Sequence, residues 1–184
     1  MSTLIHSLTA DPPWQFRDKL PGPKRGADSH YGTMTTADLS GFLSSHQPKI
    51  EPAKDGLLFM WRVSSMVREA IDLCRDWGYV PKSELVWVKT TKTGKRHFGM
   101  GHYTRLGHEV CIIASRGKGA SLIKSRSVPS VFHAPVGRHS EKPDAFYEIV
   151  ERLIDGPHVE LFARRKREGW VTYGNEIVED EAAE

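Results

Sequence analysis

The chain has 184 residues, enough for one domain with a substantial core, and 39% of them are hydrophobic and 27% charged. No apolar stretch approaches the roughly eighteen residues of a membrane span, and the N-terminus lacks the basic and apolar regions of a secretory signal. Cys74 and Cys111 have no C-x-x-C partner. We therefore expect neither a disulfide nor a zinc site, and a reducing, cytoplasmic location.

The charge of the chain is uneven. Its net charge is +3, and without the four acids among the last six residues it would be +7. A basic body suits a polyanionic partner such as a nucleic acid. We expect residues 1–178 to form a single domain and residues 179–184 to be an acidic, disordered tail.

The first predicted strand covers residues 4–10 and ends at Asp11. The polar segment that follows, 15–31, is rich in Pro, Gly and Lys and predicts a loop placed as a lid over that strand end. Thr35 and Asp38 form a T-x-x-D capping pattern, which predicts a short helix through Leu43. A second polar loop is expected at 46–55.

The rest of the chain alternates apolar strands with amphipathic helices. Further strands are predicted at 57–61, 84–88, 110–114, 131–134, 159–162 and 170–173, and helices at 66–77, ended by Gly78, and from Pro143 to Gly156. Such alternation predicts an α/β fold with a mostly parallel sheet covered by helices.

The tetrapeptide Asp11-Pro12-Pro13-Trp14 is the most informative feature of the chain. Proline lacks an N–H and fixes its own φ, so we expect a stiff turn whose carbonyls have no local donor, followed by an exposed aromatic side chain. Asp11 and the Pro12 carbonyl could accept the two hydrogens of an exocyclic amine while Trp14 stacks on the base. A simple proline-rich turn would have the same sequence.

Two strand ends near the C-terminus could hold a nucleoside, because α/β sheets bind nucleosides at the carboxyl ends of their strands. They lie at 159–164 and 170–176, and Glu176 is placed to accept hydrogen bonds from ribose hydroxyls. No G-x-G-x-x-G segment follows either strand, so the residues alone do not identify a cofactor.

Several motifs occur together in one order. Asp11-Pro12-Pro13-Trp14 resembles motif IV of amino-methyltransferases, and three later segments resemble the K-P-D, E-L-F-[GA]-R and G-N-[EQ] motifs of the MT-A family of adenine-N6 methyltransferases. These segments are Lys142-Pro143-Asp144, Glu160-Leu161-Phe162-Ala163-Arg164 and Gly174-Asn175-Glu176. The resemblance spans most of residues 10–177.

This resemblance implies a Rossmann-like methyltransferase fold that uses S-adenosylmethionine (SAM), in the circularly permuted β-class order, with the catalytic motif first and the cofactor motif last. It implies that Lys142 binds the cofactor carboxylate, that Arg164 contacts the ribose region, and that Asn175 and Glu176 hold ribose and adenine. The catalytic residues would be Asp11, Pro12, Pro13 and Trp14, and the cofactor-binding residues Asp11, Lys142, Glu160, Phe162, Arg164, Asn175 and Glu176. No metal is implied.

One segment departs from the family pattern. Where family members often have Pro-His-Asn, this chain has Arg165-Lys166-Arg167, which puts part of the ribose contact in doubt and could add phosphate-facing charge. Flexible basic loops suit phosphate contacts, and one such loop covers 89–103. The candidate nucleic-acid-binding residues, including two from a segment resembling the family's R-x-x-H-E, are Lys89, Lys92, Lys95, Arg96, Arg105 and His108. Trp61 and Arg62, at a strand end, are candidates to line the pocket.

The expected function is SAM-dependent methylation of the N6 amine of adenine, with DNA preferred over RNA because the chain is compact and shows no appended RNA-binding domain. A duplex adenine would have to be flipped out of the helix. Two alternatives stay open, an RNA adenine methyltransferase and a non-catalytic nucleic-acid-binding partner subunit. Family members often pair, so a homodimer or heterodimer is possible, and no membrane partner is expected.

Overall fold

The computed structural model describes residues 4–15, 32–101, 103–138 and 141–174. The elements in chain order are β1 (Ile5–Ala10), α1 (Thr36–Ser45), β2 (Pro52–Arg62), α2 (Val67–Asp76), β3 (Val80–Thr90), β4 (His108–Arg116), a 3-10 helix (Gly119–Leu122), β5 (Val131–Pro135), α3 (Asp144–Leu153), β6 (His158–Leu161) and β7 (Trp170–Tyr173). The predicted lid, apart from Gln15, and the predicted acidic tail lie outside the described residues.

The described strands form one seven-stranded sheet in the order β5-β3-β4-β2-β1-β6-β7. Four of the pairings are parallel, namely β1 with β2, β1 with β6, β3 with β5, and β6 with β7. β4 is antiparallel to both of its neighbours, β2 and β3. The mostly parallel α/β sheet predicted from the sequence is confirmed.

Two strands begin at least four residues before their predicted starts. β2 begins at Pro52, so the predicted loop at 46–55 is wrong over its last four residues. β3 begins at Val80, four residues before its predicted start. The added residues at the start of β3 are mostly exposed, so they show no apolar pattern. They form strand because Val80 and its neighbours pair with the end of β4.

The helix ends follow the local sequence. At α1 the Thr35 side chain accepts a hydrogen bond from the Asp38 backbone N–H, and the Asp38 carboxylate accepts from Thr35, so the predicted capping box is confirmed. After α2, Gly78 has φ +82°, a conformation that favours glycine. In the described ranges no helix combines the length and apolar character that crossing a bilayer requires.

The sheet has an apolar core on each face. Strand β2 contributes to both, because its side chains alternate between the faces: Leu58 and Met60 pack with α1 and α2, and Phe59 and Trp61 pack with α3. A continuous apolar run is expected for a strand buried on both sides. The two cysteines are divided between these cores, Cys74 in the first and Cys111 in the second.

Candidate active site

The first strand and the next-to-last strand lie side by side in the sheet, with β6 one strand from its edge. β1 pairs in parallel with β6, with Ala10 opposite Leu161, so Asp11 and Phe162 follow adjacent strand ends. β2, which follows β1 in the chain, lies on one side of this pair, and β7, which follows β6, lies on the opposite side. Such a reversal of strand order opens a crevice at the carboxyl ends of the strands, which is where open α/β sheets bind ligands.

The Asp11-Pro12-Pro13-Trp14 turn is closed by backbone hydrogen bonds. The Trp14 N–H donates to the Pro12 carbonyl at 2.8 Å, and the Met34 N–H donates to the Pro13 carbonyl at 2.9 Å. The expectation that these carbonyls lack a local donor is therefore wrong, because the chain turns back on itself and pairs with the segment at Met34. Each carbonyl oxygen has a second lone pair, so Pro12 can still accept from a ligand.

Trp14 is buried, and the predicted exposed aromatic is wrong. Only 3% of its surface is exposed, it belongs to the core beside α1 and α2, and its indole N–H donates to the Trp61 carbonyl at 3.2 Å. The turn directs the indole inward, where the carbonyl near the end of β2 accepts the hydrogen bond that a buried N–H requires. Trp14 still lines the cleft beside Asp11, so its stacking role stays a prediction.

Four charged side chains form an alternating chain across the strand ends. Lys142 Nζ lies 2.7 Å from Asp11 Oδ2 and 3.3 Å from Glu109 Oε2, and the other Glu109 oxygen lies 2.6 Å from Lys89 Nζ. Lys142 is buried, and its ammonium also lies 5.1 Å from the centroid of the Trp61 ring. Two cations and two anions thus share one poorly hydrated site, and each charge is paired.

The pairing keeps the central charges ionised. Burial alone would raise the pKa of Glu109, but Lys142 and Lys89 lower that pKa to about 2. Burial alone would lower the pKa of Lys142, but Asp11 and Glu109 raise it well above its usual value. At neutral pH Glu109 is a carboxylate and Lys142 an ammonium.

Glu160 is a second buried acid, with a different environment. It is 5% exposed near the end of β6 and accepts a hydrogen bond of 2.8 Å from the Tyr147 hydroxyl on α3. Burial raises the pKa of Glu160 to about 7, against the opposing effect of the Tyr147 hydrogen bond and with a further increase from the Asp11 charge. The protonation of Glu160 therefore changes near neutral pH.

The chain beyond β6 has a constrained backbone. Phe162 has φ +61°, which is unusual for a bulky side chain, and its ring lies 4.5 Å from that of Phe42. A Cβ added to Gly174 would lie 2.0 Å from the Ala163 carbonyl oxygen, and the Ala163 N–H donates to the Tyr173 carbonyl at 2.9 Å. The ends of β6 and β7 thus approach so closely that only glycine fits at position 174.

These elements surround a cleft of about 180 Å³. The predicted site residues that line it are Asp11, Pro12, Trp14, Lys89, His108, Lys142 and Arg164, together with the predicted lining residues Trp61 and Arg62. The remaining described candidates do not line it: Pro13, Lys92, Lys95, Arg96, Arg105, Glu160 and Phe162. Asn175 and Glu176 lie outside the described residues.

Sequence reasoning missed further residues that the structure ties to the site, among them Glu109 and Tyr147. Glu109 lines the cleft and bridges the two lysines, and the available signal was its place as the acid of the segment that resembles R-x-x-H-E, at the start of an apolar strand. Tyr147 gave no comparable signal, because it is one of several apolar residues on α3 and its partner Glu160 lies on another element.

The arginines that replace the family's Pro-His-Asn segment contact acids at the beginning of α3. Arg165 and Arg167 both pair with Asp144, and Arg165 also lies 3.3 Å from Glu141. The Arg167 guanidinium lies 3.9 Å from the centroid of the Tyr147 ring. Much of their charge is therefore compensated within the protein.

Comparisons with known proteins agree with the motifs. The sequence matches the family model MT-A70 over residues 6–176. It is 32% identical to the N(6)-adenosine-methyltransferase MT-A70-like protein of Drosophila melanogaster over 175 residues, with 92% of this chain and 26% of that protein covered. The N(6)-adenosine-methyltransferase catalytic subunit METTL3 of Homo sapiens is also 32% identical, over 178 residues, with 92% and 28% covered.

A shorter relative is similar as well. The type II methyltransferase M.MunI of Mycoplasma sp is 29% identical over 188 residues, with 92% of this chain and 76% of that protein covered. The chain spans about a quarter of the length of the Drosophila and human relatives. Since the family model extends from the first strand to the segment after the last described strand, the predicted Rossmann-like methyltransferase fold is confirmed, and the chain belongs to the MT-A70 family.

Proposed function

We propose that this chain is a SAM-dependent methyltransferase that acts on the N6 amine of adenine in DNA. One observation carries the proposal. The Asp-Pro-Pro-Trp turn after β1 and the predicted cofactor segment after β6 are distant in sequence but border the same crevice. An acceptor for an amine and a site for a methyl donor are thus adjacent.

The residues at this crevice fit SAM, which supplies, when bound, an electrophilic methyl group on a sulfonium sulfur. Lys142 is a buried cation that lines the cleft. An ammonium has three donors, and Asp11 and Glu109 use two of them, so one stays available for the carboxylate of the cofactor. Arg164 borders the same cleft, and the residue before it, Ala163, packs closely against Gly174.

Asp11 and Pro12 would hold the adenine amine. Lys142 contacts one carboxylate oxygen of Asp11, which leaves lone pairs on both oxygens, and the Pro12 carbonyl has one lone pair beyond its bond from Trp14. Two hydrogen bonds from the amine to these acceptors would localise the nitrogen lone pair and direct it at the methyl carbon. The positive charge that develops on the nitrogen is stabilised by Asp11, which can also accept the proton that the amine loses.

Two observations bear on the polymer. Type II is a term from the naming of DNA-modification enzymes, and the chain covers 76% of the Mycoplasma relative that has this name. An RNA substrate is the second candidate, because the Drosophila and human relatives are named for adenosine, a ribonucleoside. A non-catalytic partner subunit is a weaker third candidate, since the Asp-Pro-Pro-Trp turn and the Lys142 cation are both present in the crevice.

The test is methyl transfer from radiolabelled SAM to single-stranded DNA, duplex DNA and RNA of matched sequence. We expect transfer to DNA, and a loss of at least about a hundredfold in kcat for Asp11→Asn, which keeps the side chain's size. Asp72→Asn is the matched control, because Asp72 is half-exposed on α2 and does not line the cleft. Transfer to RNA alone would contradict the DNA substrate, and binding of nucleic acid without any transfer would contradict the enzyme.

A further inference from the structure

The segment between β3 and β4 forms a folded projection, which we define as residues 91–107. Two backbone hydrogen bonds to Lys89 hold the base of the projection. The Lys89 carbonyl accepts from the His97 N–H at 3.1 Å, and the Lys89 N–H donates to the Gly107 carbonyl at 2.9 Å. Further out, the Gly99 N–H donates to the Leu106 carbonyl at 2.8 Å. His102 lies outside the described residues, and these hydrogen bonds join described residues on either side of it.

The projection exposes large apolar side chains at its tip. Tyr103 is fully exposed, Met100 is 77% exposed and Phe98 is 57% exposed. A Cβ added to Gly101 would lie 2.3 Å from the Thr104 carbonyl oxygen, so these two residues approach each other closely. A group of exposed apolar side chains is typical of a surface that another molecule covers.

The charge of the projection identifies that molecule as a polyanion. Residues 91–107 contain no acid, and their exposed cations are Lys92, Lys95, Arg96 and Arg105. A second copy of this chain, docked tip to tip by a two-fold axis, would bring these cations against their own equivalents. If the apolar tip were inserted into a nucleic acid, the phosphates on both sides of it would instead be complementary to these cations.

The tip lies next to the proposed active site. Leu106 and His108 line the cleft, and Leu106 is the third residue after Tyr103, so the Cα atoms of Tyr103 and Leu106 are at most about 11 Å apart. That distance corresponds to about three stacked base pairs. The projection would therefore reach both a flipped base in the cleft and the gap that this base leaves in the base stack of the duplex.

We propose that Met100 and Tyr103 form a wedge that enters the base stack of duplex DNA and occupies the space left by the flipped adenine. This inference rests on the proposed function. Apolar wedges that unstack bases are a known means of deforming DNA, and an aromatic ring can replace the stacking that the extruded base gave up. The cations of the projection hold the flanking phosphates, and the wedge keeps the base from returning.

The first test measures binding alone, by fluorescence anisotropy, with an intact duplex and with the same duplex carrying one abasic site. A wedge fits a gap that already exists, so we expect the protein to bind the abasic duplex at least about tenfold more tightly. The double variant Met100→Ala, Tyr103→Ala should reduce that preference to less than about twofold. The matched control is Val80→Ala, Val171→Ala, which shortens exposed apolar residues on β3 and β7 and should keep the preference.

The second test compares methylation of duplex and single-stranded DNA. The wedge variant should lose at least about tenfold in kcat/KM on duplex and change less than about twofold on single strands, where no base has to be extruded. Equal losses on both substrates, or equal binding of the intact and abasic duplexes by the unaltered protein, would overturn the wedge. So would a dimer in sedimentation that the wedge variant converts to a monomer, because the tip would then be covered by a second copy. A preference for the abasic duplex without methyl transfer to any polymer would support the wedge and contradict the proposed function.

Discussion

Lys142 Nζ lies 2.7 Å from Asp11 Oδ2, so the lysine predicted to bind the cofactor is paired with the acid predicted to hold the target amine. Lys142 also contacts Glu109 on β4. A single buried ammonium therefore links the end of β1, the beginning of α3 and the beginning of β4. We therefore expect substitutions at this position to change both stability and the proposed activity, and the two effects have to be measured separately.

The first prediction concerns Lys142→Met. It removes the cation and leaves the Asp11 and Glu109 carboxylates close together in a poorly hydrated site, so we expect a loss of about 3–5 kcal/mol in the free energy of unfolding. Urea denaturation measures this loss. Lys124→Met is the control, because Lys124 pairs with Asp155 at the exposed surface, and it should cost less than about 1 kcal/mol. Equal costs for the two variants would show that the buried charges are not coupled.

Much of the fold could be predicted from the sequence, because its cues are local. The cap at Thr35, the helix end at Gly78 and the apolar runs of the central strands each depend on residues that are near one another in the chain. The starts of β2 and β3 could not be predicted, because these residues become strand by pairing with distant partners and carry no apolar pattern of their own.

The candidate site was predictable where a motif names its residues, and less so where the side chains meet through the fold. Asp11, Lys142 and Arg164 come from motifs, and all three line the cleft. Trp14 was expected to be exposed because local sequence does not show which way a turn directs an indole. Glu109 is the acid of the segment that resembles R-x-x-H-E, but its importance depends on contacts with two lysines from other elements, which local sequence does not show.

The second prediction is a pH dependence due to Glu160. Its pKa is about 7 in the folded chain and 4.5 in the absence of structure, so between these values the folded chain binds a proton that the unfolded chain has lost. Stability from this group is therefore present below pH 4.5 and is lost as the pH rises to about 7, by an amount on the order of 3 kcal/mol. The difference in unfolding free energy between the unaltered protein and Glu160→Gln should shift by that amount between pH 4 and pH 8.

Tyr147→Phe gives a matched check on Glu160. The Tyr147 hydroxyl donates to the carboxylate and lowers the pKa of Glu160, so its removal should raise that pKa and move the loss of stability to higher pH. If the Glu160→Gln difference is the same at every pH, Glu160 does not titrate in this range.

The third prediction separates a buried Trp14 from an exposed one. Trp14→Ala should cost about 3–5 kcal/mol, because the indole is part of the core beside α1 and α2. Trp14→Phe keeps a ring but leaves the Trp61 carbonyl without its donor, and should cost about 1–3 kcal/mol. Urea denaturation of both variants measures these costs. A cost below about 0.5 kcal/mol for the alanine variant would indicate that Trp14 is exposed, as the sequence predicted.

The fourth prediction concerns two glycines that differ in the room around them. A Cβ at Gly174 would lie 2.0 Å from the Ala163 carbonyl oxygen and 2.7 Å from its nitrogen, both backbone atoms that cannot rotate away. Gly174→Ala should therefore cost about 1–3 kcal/mol in unfolding free energy and, by displacing the backbone next to Arg164, should weaken SAM binding in calorimetry. Gly41 lies within α1, and a Cβ there would meet nothing within 4 Å. Gly41→Ala should stabilise the protein by about 0.5–1 kcal/mol and leave SAM binding unchanged, because alanine lowers the entropy cost of forming the helix. If Gly174→Ala is as well tolerated as Gly41→Ala, the ends of β6 and β7 do not approach as closely as described.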